Sequence, residues 1–228
     1  FNTINAMITA FLVIPIISKM ADKWGKKQAF IISTVLSIIG YLLKWWGFDK
    51  ELNGKFNETG FGEGLNSAIG SLFEWLNPIL ENIGMSWFSI EPGSEIPWLM
   101  FIPIPLFAFG MGGLFTLMMS MTADVCDLDE LENGMPRKEG TFGAIYWWMV
   151  KLGQAIALVL GGLILKIVGF DPNITEQSLE TMNRLRIADI IIPSLTAALA
   201  VWVMWKYDLT EQKARDIKDE LVSRRGEI

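Results

Sequence analysis

One lysine sits where a lysine is costly. Lys151 lies near the middle of the long apolar segment 142–168. A cation at that depth in a hydrocarbon core marks a functional position, and its partner has to be sought. Trp147 and Trp148 precede it by one helical turn, and Gln154 follows it by one. On a helix, Trp147, Lys151 and Gln154 therefore share a face, with Tyr146 at its edge. Flat aromatic faces stack on the apolar side of a sugar ring while polar tips bond its hydroxyls. The plainer account of the tryptophans is an aromatic belt at the membrane surface.

A second constellation stands just upstream. Asp124 and Asp127 are three residues apart, so on a helix end they share a face. Arg137 carries a planar fork that can bridge carboxylates, and Glu139 stands two residues on. At a membrane mouth such charges can close a gate in one state and part in another. As ordinary surface pairs they would be worth little. A third group is the run Asp22-Lys23-Trp24-Gly25-Lys26-Lys27. Gly25 permits a tight turn between two antiparallel helices. Asp22 is placed to meet a helix N-terminus or a basic side chain. Lys26 and Lys27 read equally well as positive-inside anchors. Gly110, Gly112 and Gly113 soften the apolar run before the acids, and Phe115 and Thr116 follow them.

The elements that must position these groups are apolar runs. Hydrophobic residues make up 51% of the 228, and the charges collect between the runs instead of being spread among them. Runs at about 1–18, 28–48, 97–119, 142–168 and 187–205 are each long enough to cross a bilayer as a helix, which takes roughly 20 residues. The expected fold class is an all-α membrane protein, with a bundle over 1–206 and a separate cytoplasmic helix over 207–228. In that last segment Asp208 and Thr210 precede good helix formers, Thr210 being the expected cap. Ala214, Ile217, Leu221 and Val222 form its apolar stripe. The long loop 49–96 is acidic, and within it Leu65, Ile69, Leu72, Phe73, Leu76, Ile79 and Leu80 recur at helical spacing. That pattern fits an outer lid or partner surface, or an amphipathic helix resting at the interface. Phe1 falls inside an apolar run with no basic segment before it, so it reads as the interior of a helix and not as a signal peptide.

Composition excludes several function classes. With no histidine, a histidine-based zinc site, a Ser-His-Asp triad and a Cys-His pair cannot be built within the chain. Cys126 is the single cysteine, so no intrachain disulfide forms. A net charge of -6 offers no basic patch for nucleic acid.

The loop Asp22–Lys27 resembles the D-x-x-G-[RK]-[RK] loop of the major facilitator superfamily, which joins the second and third helices of each six-helix half. The stretch after it is more specific. Met121, Ala123, Asp124, Asp127, Leu128 and Glu130, then Gly134, Arg137, Glu139 and Gly140, then Lys151 and Gly153, resemble the glycoside–pentoside–hexuronide:cation symporters, the melibiose-permease-like group. Leu128 stands where tyrosine is common, and the long loop 49–96 is the main departure from the pattern. The resemblance implies the last five of twelve transmembrane helices in a bacterial inner membrane. It implies symport of a glycoside, oligosaccharide or sugar acid with a cation, by alternating access around a midplane site. Lys151, Trp147, Tyr146, Gln154 and Phe115 would line the substrate cavity. Asp124, Asp127, Arg137 and Glu139 would form the cytoplasmic gate. No cofactor is implied. The coupling cation, H+ or Na+, would be bound mainly by an N-terminal half outside this chain. Rival readings are a same-fold transporter of a lipid or other non-sugar solute, and a membrane-embedded enzyme.

Lysine and arginine asymmetry orients the spans. Lys19, Lys23, Lys26 and Lys27 precede the second run, and Lys206, Lys213, Arg215, Lys218, Arg224 and Arg225 follow the last. Both groups, with the acidic stretch 121–140, are expected on the cytoplasmic side. Cysteine labelling in intact cells tests this: Lys23→Cys and Arg137→Cys should label from one side of the membrane, and Glu63→Cys from the other.

Overall fold

The computed structural model of the chain describes residues 9–82, 84, 96–134, 137–174 and 176–226. Among them every regular element is helical. A π-helical turn, Thr9–Val13, leads into α1 (Ile14–Trp24). Next come α2 (Lys26–Gly47), α3 (Lys50–Asn57), α4 (Gly60–Asn82) and a 3-10 turn, Trp98–Met100. Then α5 (Pro103–Gly112) passes through a second π-helical turn, Gly113–Leu117, into α6 (Met118–Asn133). Three more helices follow: α7 (Glu139–Val168), α8 (Leu179–Trp205) and α9 (Glu211–Gly226). Four stretches are long and apolar enough to cross a membrane: Lys26–Gly47, Trp98–Asn133, Glu139–Val168 and Leu179–Trp205. The expected span 1–18 falls partly outside the described residues, and its described part is helical.

Helices run past the expected spans. The acidic stretch 121–140, which lies beyond the expected span 97–119, is helical as far as Asn133. Asp, Glu and Leu there carry the backbone ladder on past the apolar run, and Gly134 ends it with φ 80°. The final span begins at Leu179 and not near 187, capped by Ser178, whose hydroxyl accepts from Thr181 N. Arg184 and Arg186 consequently lie on a helix and not in a loop.

The chain divides into two compact units, Phe1–Leu42 with Pro105–Ile228, and Leu43–Ile104. In the first, Val13, Ile17, Phe30, Leu117, Met121 and Met204 form the buried apolar cluster. Beside it, α2 and α5 pack antiparallel through small residues. A Cβ added at Gly110 would lie 2.6 Å from Ser37 Cβ, and one at Gly113 would collide with Ser33 Oγ. A Cβ at Gly40 would lie 2.8 Å from Leu106 Cβ. Helices in a membrane gain from such close backbone approach, because lipid supplies no hydrophobic drive between them. The buried hydroxyls at this contact stay satisfied within α2. Ser33 and Thr34 donate to Phe30 O at 2.9 and 2.8 Å, and Ser37 donates to Thr34 O at 2.8 Å.

The last helix docks by its expected stripe, with one exception. Ile217 and Leu221, with Leu209, pack against Val125, Leu128 and Leu131 of α6. Val222 is exposed, since the next position on a helix turns away from that face. Thr210 Oγ1 accepts from Lys213 N at 3.3 Å, and Arg224 donates to Leu131 O at the C-terminal end of α6.

In the second unit, Asn53 is the buried hub. Its amide donates to Gly47 O at 2.9 Å and Asp49 O at 2.8 Å, and its carbonyl accepts from Leu99 N at 3.1 Å. The end of α2 and the 3-10 turn are thereby tied to α3. The Trp98 indole donates to Asn66 Oδ1 on α4 at 2.7 Å. Two helices thus occupy most of the described part of what reads from sequence as a loop.

The α2–α5 contact predicts a packing defect. Gly110→Ala and Gly113→Ala should each destabilise by roughly 1–3 kcal/mol, the usual cost of overpacking. The drop would appear as a lower Tm of purified protein in detergent. Gly70→Ala on α4, with open space around it, should not lower Tm.

Candidate functional site

Within the run Asp22–Lys27, expected as a loop, only Gly25 lies outside a helix: Asp22, Lys23 and Trp24 end α1, and Lys26 and Lys27 begin α2. Gly25 has φ 85° and ψ 154°, which a side chain would strain, and a Cβ there would lie 3.3 Å from Glu211 Cβ. The two lysines that follow have different partners. Lys26 Nζ donates to both carboxylate oxygens of Asp124, at 2.8 and 2.6 Å. Lys27 Nζ donates to Trp205 O at 2.9 Å and Tyr207 O at 2.7 Å. Those carbonyls lie at the C-terminal end of α8, where unsatisfied acceptors and the helix dipole both favour a cation. Asp22, expected to meet a helix end or a base, is exposed and makes no hydrogen bond or ion pair among the described residues.

The acids of α6 form one buried face. Asp124, Asp127 and Glu130 follow each other at intervals of three, and all are buried. Arg137 Nη1 lies 2.8 Å from Asp127 Oδ1 and 3.9 Å from Glu130 Oε2, and its Nε lies 2.7 Å from Glu139 Oε1. Arg137 therefore ties two acids of α6 to the first residue of α7. Asp124 does not join that cluster and is held by Lys26 instead. Lys138 adds an ion pair to Asp129 at 2.9 Å.

Besides the Lys138–Asp129 pair, Glu130 and Tyr207 stand outside the expected gate, although Glu130 belongs to the motif that carries the resemblance. Glu130 continues the three-residue spacing of Asp124 and Asp127, and that spacing was the signal for it. Tyr207 had no such signal. A small pocket at this end is lined by Lys26, Asp124, Tyr207, Thr210 and Glu211. The Tyr207 hydroxyl is buried and has no hydrogen-bond partner among the described residues. Burial first, then the negative charge of Asp124, pushes its pKa up to about 12.

Residues of the expected substrate face lie on α7, one uninterrupted helix. Trp147, Lys151 and Gln154 are all exposed within this chain, and Tyr146 is half-buried. The Tyr146 and Trp147 rings meet edge to face, with centroids 5.4 Å apart. Lys151 makes no ion pair or hydrogen bond among the described residues. Phe115 lies on the π-helical turn Gly113–Leu117, and no ring contact among the described residues joins it to the aromatics of α7. The stripe Gly153, Ala157, Gly161 is also open, with nothing within 4 Å of a Cβ added at either glycine.

A family model described as MFS/sugar transport protein matches residues 1–211. The glucuronide carrier protein homolog of Escherichia coli (strain K12) is 23% identical over 211 residues, covering 92% of this chain and 36% of that protein. A putative glycoside/cation symporter of the same organism is 26% identical over 154 residues, covering 68% and 33%. An uncharacterized symporter of Synechocystis sp. is 26% identical over 212 residues, covering 84% and 38%. The chain spans 33% to 38% of the length of these curated relatives. No solved structure matches it.

The Lys26–Asp124 pair gives a measurable coupling. Lys26→Met strands a buried carboxylate and should cost about 3 kcal/mol, the low end for breaking a buried pair. The low end applies because the Lys26 side chain keeps 20% of its surface exposed against 5% for Asp124. The double variant Lys26→Met/Asp124→Leu should recover most of that loss. A double-mutant cycle on thermal unfolding measures both.

Proposed function

Because the chain belongs to the family of MFS/sugar transport proteins, we propose that it works in a secondary transporter carrying a glycoside, oligosaccharide or sugar acid with a cation. The observation that carries this reading is the face of α7. Lys151 stands in the middle of a membrane-spanning helix without an ion pair among the described residues, one turn from Trp147 on one side and Gln154 on the other. A cation without a counter-charge is not stable in hydrocarbon, so this face must look into water, onto substrate or onto an acidic partner. An aromatic plane beside an ammonium and an amide suits a ligand with an apolar ring face and a rim of hydroxyls or a carboxylate. The names of two relatives, a glucuronide carrier homolog and a putative glycoside/cation symporter, support that substrate class.

The charges at the α6 end fit the moving part of such a device. Lys26–Asp124 and the Arg137 cluster are separate ion-pair groups on one buried helix face. In alternating access they would close the cytoplasmic mouth in the outward-open state and separate in the inward-open one. Each group is small enough to be broken by the differential binding of a substrate, since a conformational equilibrium shifts only by the affinity difference between its states.

The test is transport by the full-length protein in vesicles, with an imposed proton or sodium gradient and a panel of glycosides. Lys151→Ala should abolish uphill accumulation while the protein still inserts. Lys151→Arg should fail as well, because a planar fork does not replace a compact ammonium in a tight site. Wild-type accumulation by the alanine variant at matched expression would show that Lys151 is only a tolerated charge.

A further inference from the structure

We propose that α4 is an interfacial helix lying on the outer lipid surface, with Phe61, Leu65, Ala68, Leu72, Trp75 and Ile79 turned into the headgroup boundary. The first observation is the pattern. Those residues follow each other at intervals of four, three, four, three and four, which keeps them on one side of a helix. Glu63, Glu74 and Glu81 fall within about 20° of one another on the opposite side, at about 100° per residue. The second observation is exposure. Phe61 is 69% and Trp75 66% exposed, and Leu72 and Ile79 are exposed too. The buried side of the helix, marked by Gly62 and Phe73, is rotated away from this stripe. A row of large apolar side chains is therefore left open by its own unit.

The third observation sets the height of the helix. Asn66 of α4 accepts from the indole of Trp98, in the turn where the chain enters a span. Asn53 of α3 bonds Gly47 O, where the preceding span ends, and Leu99 N, where the next begins. That level already carries a membrane-surface signature: Lys44, Trp45, Trp46 and Phe48 at the end of α2, and Trp98 and Phe101 beyond it. Tryptophan belts and snorkelling lysines mark the headgroup region. Through Asn66 the helix α4 is held at the level of that belt.

The same spacing would also suit a partner helix, but its flanks do not. Gly62, Gly64, Ile69, Ser71, Leu76 and Pro78 occupy the positions beside the stripe, and none carries a charge to set register or partner. Pro78 inside the helix also disfavours a long regular seam. No lysine or arginine occurs in 60–82. Attachment therefore rests on apolar burial and is independent of anionic lipid, unlike basic surface helices. This inference does not depend on what the protein carries.

Site-directed spin labelling of the full-length protein in nanodiscs tests it, in a Cys126→Ser background. Labels would be placed at Phe61→Cys, Leu72→Cys and Ile79→Cys, and at Glu63→Cys, Glu74→Cys and Glu81→Cys. The expected result is a periodic inversion. Oxygen should relax the first set more than a water-soluble nickel chelate does, and the chelate should dominate in the second. The pattern should be the same in phosphatidylcholine and in phosphatidylglycerol-containing discs. Equal chelate access at both sets would overturn the proposal, and so would a short label-to-label distance between two copies at Leu72. The Leu72 and Ile79 sites change less volume than Phe61, so the result does not hang on one bulky replacement.

Discussion

Two adjacent lysines hold the end of the helix bundle together. Lys26 neutralises a buried carboxylate on α6, and Lys27 fills the open carbonyl end of α8. They project from the first turn of α2, directly after a glycine whose backbone no other residue adopts cheaply. The turn between α1 and α2, the acid face of α6, the end of α8 and the start of α9 are thus organised by two ammonium groups. One compensates a charge, and the other compensates a dipole and unpaired acceptors. Breaking the first strands an anion, which costs more than the pair contributes by existing.

The bilayer sets the rules for the remaining packing of an integral, multi-pass membrane protein. Lipid removes the hydrophobic drive between helices, so α2 and α5 approach through glycine and serine and gain dispersion contacts instead. Hydroxyls are admitted to that contact because each donates back to its own helix. By contrast α7 keeps its glycine stripe and its lysine face open. On the reading proposed above, that open face of α7 is the one turned to substrate or to the rest of the transporter.

Much of this was legible where periodicity carries the signal. The spans follow from apolar runs and α4 from its recurring leucines and isoleucines; Asp127, Arg137 and Glu139, which ion pairs bring together, are grouped by the resemblance and not by spacing. Legibility ended at long-range pairing. Lys26 and Asp124 lie 98 residues apart, and nothing in either neighbourhood says that one lysine meets an acid and the next a helix end. Hydropathy also marks where a membrane ends and not where a helix ends, which is why α6 runs on to Asn133. Val222 misled for a related reason: an apolar residue next to a stripe position was counted as part of the stripe.

The π-helical turn Gly113–Leu117 has a bearing on phase. Such a turn accommodates one residue more than an α-helical turn. Everything after it is therefore rotated by about 100° relative to an unbroken helix. Gly110 faces α2 on one side of this step, and Asp124 faces Lys26 on the other. Fourteen residues separate the two, which on an unbroken α-helix would set them about 40° apart, and the extra residue widens that angle. The extra residue works as a fixed angular offset between a packing surface and an ionic one. Any straightening of the turn would swing the acids as a unit relative to Gly110.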